Sequence, residues 1–240
     1  MKNLKRGISI FTALISLLLV SLPSAICSEA MAGALPADTI DIQVLYNGRA
    51  WRNLHYKIQG DQFLFSSGFI PGSVTMRGRT FQGQSVRYDC YNDELLLLTG
   101  KGIILQLNKE LIGEFTLEHD NQVFLFRNFG TDSDQSLTGF VNVLSEGTAS
   151  LFVKYNKEVL ILAVENKFDL FTDNIRVYVE KDGISARVGN RGDLLRLLAD
   201  RKQQVRDYIK SNRIRVTAKA PESIKPVVDY YNSLQQTLPE

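Results

Sequence analysis

The chain has 240 residues, 44% hydrophobic and 22% charged, with 28 Lys and Arg against 26 Asp and Glu. That balance describes a foldable globular chain of one or two domains and excludes an intrinsically disordered one. Six prolines, 17 glycines without a triplet period, two cysteines and two histidines exclude a Pro-rich fibre, a collagen, a disulfide scaffold and an ordinary structural zinc site.

The N-terminus predicts an export signal. Lys2, Lys5 and Arg6 form a basic start, a 15-residue, mostly apolar stretch runs from Ile8 to Leu22, and small residues follow. A membrane-spanning helix needs about 20 apolar residues, so the order and length fit a cleavable signal peptide better. Ala30-Met31-Ala32 is an A-x-A site, which assigns residues 1–32 to the leader and 33–240 to one β-rich domain. Cleavage between Cys27 and Ser28 is the competing site. Cys27 also raises the possibility of a lipoprotein, whose lipidated cysteine follows Leu-(Ala/Ser)-(Gly/Ala). Here β-branched Ile26 stands where a small residue belongs, which counts against lipidation. The expected address is the periplasm or cell envelope.

The mature chain then predicts short strands at 62–66, 72–76, 80–91, 94–98, 102–107, 113–118, 122–128, 139–145, 149–155, 158–165, 175–180 and 184–188. These runs are dense in β-branched and aromatic residues, as strands prefer. The gaps include His119-Asp120-Asn121, Asn156-Lys157 and Lys181-Asp182-Gly183, which are hairpin lengths. Short links force antiparallel neighbours. The run 159–164 is apolar on both faces and is expected to lie centrally. So many strands must curl. An outer-membrane barrel needs strands of about 9–11 residues; most runs here are shorter and the chain ends in helix.

Two helices close the chain, at about 193–211 with Asp193 as cap and at about 223–236 with Ser223 as cap and Pro226 in the first turn. Leu194, Leu198, Val205, Tyr208 and Ile209 recur on one face of the first. Strands followed by helices define an α+β fold: a long antiparallel β-meander forming a curved sheet or half-open barrel, with C-terminal helices packed on it.

No hydrolase, metalloprotease, P-loop or dinucleotide motif is present, so the chain reads as non-catalytic, with no cofactor and no metal. Asp132 and Asp134 lack calcium-loop spacing. Asp89, Asp93 and Glu94 flank a turn, where carboxylates are usually exposed, and Arg191-Gly192-Asp193 is left without a function. Cys90 is expected to be a small buried hydrophobe without a catalytic base.

Charge placement is the unusual surface feature. Without residues 1–32 the chain is neutral, yet residues 187–219 carry ten bases against Asp193, Asp200 and Asp207. Arg201, Lys202, Arg206 and Lys210 form a possible interaction face for an envelope protein partner or an anionic lipid surface. The competing reading is a solvated face with local ion pairs. Nucleic acid is not expected for an exported protein.

The segments YNGRAWRN (46–53), GSV (72–74), VRYDCYNDEL (86–95) and ENKFDLF (165–171) are distinctive, as is the ending GDLLRLLADRKQQVRDYIKSNRI…VVDYYNSL. Together they resemble exported, β-rich envelope proteins common in Bacteroidetes. The resemblance implies location and architecture and transfers no catalytic residue; Cys90 departs from what that strand leads one to expect. The resulting functional expectation is an interaction or scaffolding module of the envelope. The alternative is a periplasmic carrier of an apolar ligand, a lipid or lipoprotein acyl chain, held against Phe124, Phe126, Phe152 and Leu160 in a half-open barrel.

Overall fold

Turn chemistry decides where most strands stop. Asp120 and Asn121, at φ 48° and 60°, and Asp182, at φ 53°, occupy the left-handed region that tight hairpins require and that Asn and Asp tolerate. The computed structural model describes residues 42–65, 68–130, 137–162 and 168–236, all within one unit of the chain, Pro36–Glu240. The predicted leader, Cys27 and the Asp132/Asp134 loop lie outside the described residues.

Eleven strands form a single antiparallel sheet. They are β1 (Gly48–Ala50), β2 (Ile70–Met76), β3 (Arg79–Asp89), β4 (Glu94–Leu98), β5 (Ile104–Leu107) and β6 (Ile112–His119). There follow β7 (Gln122–Asn128), β8 (Phe140–Ser145), β9 (Ala149–Leu160), β10 (Leu170–Lys181) and β11 (Ile184–Arg187). The spatial order is β1-β5-β4-β3-β2-β6-β7-β8-β9-β10-β11. The chain thus walks outward from β2 to β5, returns to place β6 beside β2, and walks outward the other way to β11. The sheet is open: β1 and β11 are its two edges.

Alternation along the strands gives one face to a continuous core. Val86, Tyr88 and Cys90, Leu95 and Leu97, Phe115 and Leu117, Leu151 and Val153, and Val177 and Val179 all join it. Phe115 and Phe126 stack with centroids 4.8 Å apart, and Phe140 meets Phe115 edge-on at 5.0 Å. Each such aromatic pair adds about 0.5–1.5 kcal/mol to the burial itself.

Helices α1 (Arg191–Leu197), α2 (Lys202–Ser211) and α3 (Lys225–Gln236) cover the β8–β10 part of this face. Leu194, Leu198, Val205, Ile209, Val227, Val228 and Tyr231 are buried in the same core. Asn232 fixes α3 to the start of β9: its Oδ1 accepts from Ala149 N at 2.8 Å and its Nδ2 donates to Ala149 O at 2.9 Å. Among the described residues no helix is long and apolar enough to cross a membrane.

Several sequence expectations change. Of the run expected at 62–66, the described residues 62–65 make only an isolated bridge, Phe63 to Asp89, because Phe65 at φ 65° turns the chain out of pairing. Asn156-Lys157 is not a turn. β9 passes straight through it, pairing Asn156 with Asn174 and Lys157 with Asp173, and a twelve-residue ladder with β10 outweighs the local preference of an Asn-Lys pair. The run expected to lie centrally therefore begins at the outer end of β9, where Leu160 is 49% and Ile161 74% exposed.

The helices also differ. Asn190, not Asp193, caps α1, accepting from Gly192 N and Asp193 N, while Asp193 reaches back to Gly189 N at 3.0 Å. The predicted 193–211 helix is broken at Leu198 (φ −95°, ψ 41°) and passes through a 3₁₀ turn, Ala199–Arg201, before α2. Ser223 caps nothing; its hydroxyl donates to Arg215 O and Ala220 O within the turn that precedes α3.

Candidate functional site

The tight turn between β3 and β4, residues 90–93, is held by two carboxylates with different tasks. Asp89 is fully buried. Its Oδ1 accepts from Tyr91 N at 3.0 Å and Asn92 N at 2.9 Å, and its Oδ2 accepts from Gln62 Nε2 at 2.5 Å and Asn92 Nδ2 at 2.9 Å. Four donors satisfy a carboxylate that could not otherwise be buried. The sequence expectation of exposed acids fails here for that reason.

Asp93, at φ 56°, faces the other way. Its Oδ2 meets Lys109 Nζ at 2.5 Å and Lys154 Nζ at 2.8 Å, and its Oδ1 accepts from Tyr88 Oη at 2.6 Å. Burial alone would raise its pKa, but Lys154, with the hydrogen bonds from Lys109, Lys154 and Tyr88, outweighs that and holds it below the usual carboxylate range. Burial lowers the pKa of the Lys154 ammonium, Asp93 opposes that shift, and the like charge of Lys109 adds a smaller push downward. Gly139, at φ 67°, passes so close that a Cβ there would overlap the Asp93 carboxylate.

Glu94 lies opposite Asp89 in the β3–β4 register and on the same face. Burial, then the negative charge of Asp89, raises its pKa, with Arg49 opposing. Arg49 Nη2 is 3.9 Å from Glu94 Oε1, and Arg49 Nε donates to Gln106 Oε1 at 2.7 Å. The segment before β2 folds over this face: the Arg87 guanidinium lies 3.7 Å from the Phe63 ring centroid, 4.4 Å from that of Phe69 and 5.2 Å from that of Trp51. Between that segment and the turn opens a cleft of about 350 Å³ lined by Arg49, Trp51, His55, Gln62, Asn92 and Glu94, among others. Sequence reasoning missed it, since its walls come from separated stretches at 49–55, 62, 92–94 and 106.

Cys90 is 2% exposed, and burial pushes its thiol pKa well up, as suits a packed hydrophobe rather than a nucleophile. The four candidate carrier residues do not share a face. Phe126 pairs with Asn142, which pairs with Val153, so Phe124 and Phe126 belong to the core face, whereas Phe152 and Leu160 alternate onto the opposite one. Phe152 packs there with Leu137 and Val141.

The basic residues do come together. Lys202, Arg206 and Lys210 follow one another at every fourth position of α2, all exposed, and Arg201 precedes them half-buried. The three local aspartates are engaged elsewhere: Asp193 with Gly189 N and Arg196, Asp200 with Lys181 and Tyr231, Asp207 with Gln203. Among the described residues no carboxylate lies within ion-pair distance of Arg201, Lys202, Arg206 or Lys210. Likewise, no group of described His, Cys, Asp and Glu side chains has the arrangement of a metal site. No protein-family model matches the chain, and no curated protein or solved structure is significantly similar to it.

Proposed function

We propose that the protein is a non-catalytic module of the cell envelope that docks on an anionic lipid surface through the basic stripe of α2. The observation that carries this reading is that, among the described residues, no carboxylate lies within ion-pair distance of Arg201, Lys202, Arg206 or Lys210, which leaves them available to an outside anion. The leader-like N-terminus and the resemblance to exported envelope proteins support the address. Val205 and Ile209 are held in the protein's own core, so the attraction is electrostatic, about 1 kcal/mol for each Lys or Arg near an anionic surface. It weakens as salt shortens the screening length. The carrier reading draws less support, because Phe126 is stacked inside a filled core and Phe152 and Leu160 lie on the other face.

Co-sedimentation with vesicles tests it. Full-length protein should bind vesicles containing phosphatidylglycerol, not phosphatidylcholine alone, and high salt should release it. The triple variant Arg201→Gln, Lys202→Gln, Arg206→Gln should lose that binding with little change in melting, since exposed charges contribute on the order of 0–1 kcal/mol. Equal binding by the triple variant refutes the stripe; binding that requires a co-purified acidic protein instead of lipid refutes the membrane as its partner.

A further inference from the structure

The cleft beside the β3–β4 turn has walls built to meet a ligand. Gln62, only 3% exposed, and Asn92 each give their amide N–H to Asp89 Oδ2. That fixes the orientation of both amides, because a flipped amide would set oxygen against oxygen. Their carbonyl oxygens are left over, and no described residue donates to Gln62 Oε1 or Asn92 Oδ1. Glu94, with a side chain 22% exposed, has Arg49 at 3.9 Å and no hydrogen-bond donor among the described residues. The His55 ring is held edge-on by Tyr91 at 4.9 Å and Phe171 at 6.1 Å, with neither ring nitrogen hydrogen-bonded to a described residue. Asn92 is exposed, Glu94 and His55 are half-buried, and Gln62 Oε1 is not among the buried atoms that lack a partner, so water meets these acceptors and a ligand that replaces it must match its hydrogen bonds.

The charge and shape of the walls select the ligand. Arg49 and Arg52 oppose a cation, Glu94 opposes an anion, and the open groups include both acceptors and the guanidinium donors of Arg49. A group that both donates and accepts at many points satisfies such a set, and hydroxyls do so. Trp51, backed by the Arg87 guanidinium, adds an aromatic surface suited to the C–H face of a ring. A cleft of about 350 Å³ sits at the small end of the roughly 300–1,000 Å³ usual for small-molecule sites.

We infer that this cleft binds a neutral, hydroxyl-rich ligand, a mono- or disaccharide unit, with Trp51 against its ring and Gln62, Asn92 and Glu94 receiving its hydroxyls. The site is separate from the α2 stripe, so neither reading depends on the other.

Trp51 is the single tryptophan of the chain, which makes its emission a report from the site. The probes are soluble oligomers of neutral hexoses and N-acetylhexosamines, with oligouronates and oligoglucosamine as charged controls. At least one neutral class should change Trp51 emission saturably at millimolar concentration. Glu94→Ala should weaken that binding by about tenfold, the worth of one hydrogen bond to a charged group. Arg49→Ala, at a side chain 77% exposed, provides a second variant should Glu94→Ala melt early, and Trp51→Phe followed by ligand-observed NMR provides a third. Saturable neutral binding weakened by these variants supports the site. The inference is overturned by no saturable neutral binding, by binding confined to the charged oligomers, or by affinity unchanged in folded variants.

Discussion

Replacing Asp93 by Asn should cost far more than one surface ion pair. Asn keeps the size of the side chain and tolerates the left-handed backbone at this position, so the change removes charge and little else. Lys109 and Lys154, whose side chains are 26% and 12% exposed, would then face each other across a neutral amide, and Tyr88 would lose a charged acceptor. Breaking a buried pair from one side costs about 3–5 kcal/mol. Because both lysines keep some water, about 2–4 kcal/mol is expected, or a fall in Tm of roughly 5–15 °C for a chain of this length. The assay is urea and thermal unfolding followed by near-ultraviolet circular dichroism. The sign with pH is fixed as well. A carboxyl whose folded pKa lies below its unfolded value stabilises above about pH 4 and loses that contribution as pH falls through the folded value. The gap between wild type and variant should therefore narrow in acid. Adding Lys154→Met to Asp93→Asn should recover part of the loss, since the stranded cation goes with it. A loss below about 1 kcal/mol, or no recovery in the double variant, would refute the idea that Asp93 neutralises this cluster.

Cys90 should resist iodoacetamide in the native protein and react fully in urea, and Cys90→Ser should cost about 1 kcal/mol or somewhat more; rapid native labelling would contradict its burial. Leu198→Ala, at a fully buried side chain where the chain leaves α1, should destabilise by about 2–5 kcal/mol in denaturant titration. N-terminal sequencing of protein exported by its native host should begin at Gly33, with Ser28 as second site, and retention of Met1 would refute a cleaved leader.

Some elements were legible from local signals alone. β4 and β7 start and stop where the sequence predicts, because a left-handed Asp93 and the Asp120-Asn121 turn bound them. Asn156-Lys157 misled because turn preference is local, while the opposing ladder with β10 is set by residues some twenty positions away. Period-two alternation puts Phe124 beside Phe126, but relating Phe152 to them needs cross-strand register, which a bulge between Val143 and Ser145 shifts. The basic face was legible because a helix brings every fourth residue onto one side. The cleft was hidden: Gln62 and Asn92 meet only because Asp89, between them in sequence, is buried and draws both amides.

An open sheet carries a hazard at its rims, where unpaired amides and carbonyls invite another copy to extend the ladder. Here β1 has three residues and β11 four, against about five or six for an average strand. At about 3.4 Å per residue, the shorter rim offers roughly 10 Å of backbone, enough for only a few bonds to an incoming strand. Arg49 and Arg187, on opposite rims, add like charges to any edge-to-edge approach of identical copies at the same rim. That protection belongs to the β1 rim; at the other, β11 covers only Tyr178–Lys181 of the twelve-residue β10, so the middle of β10 is the longer edge that an incoming strand would meet.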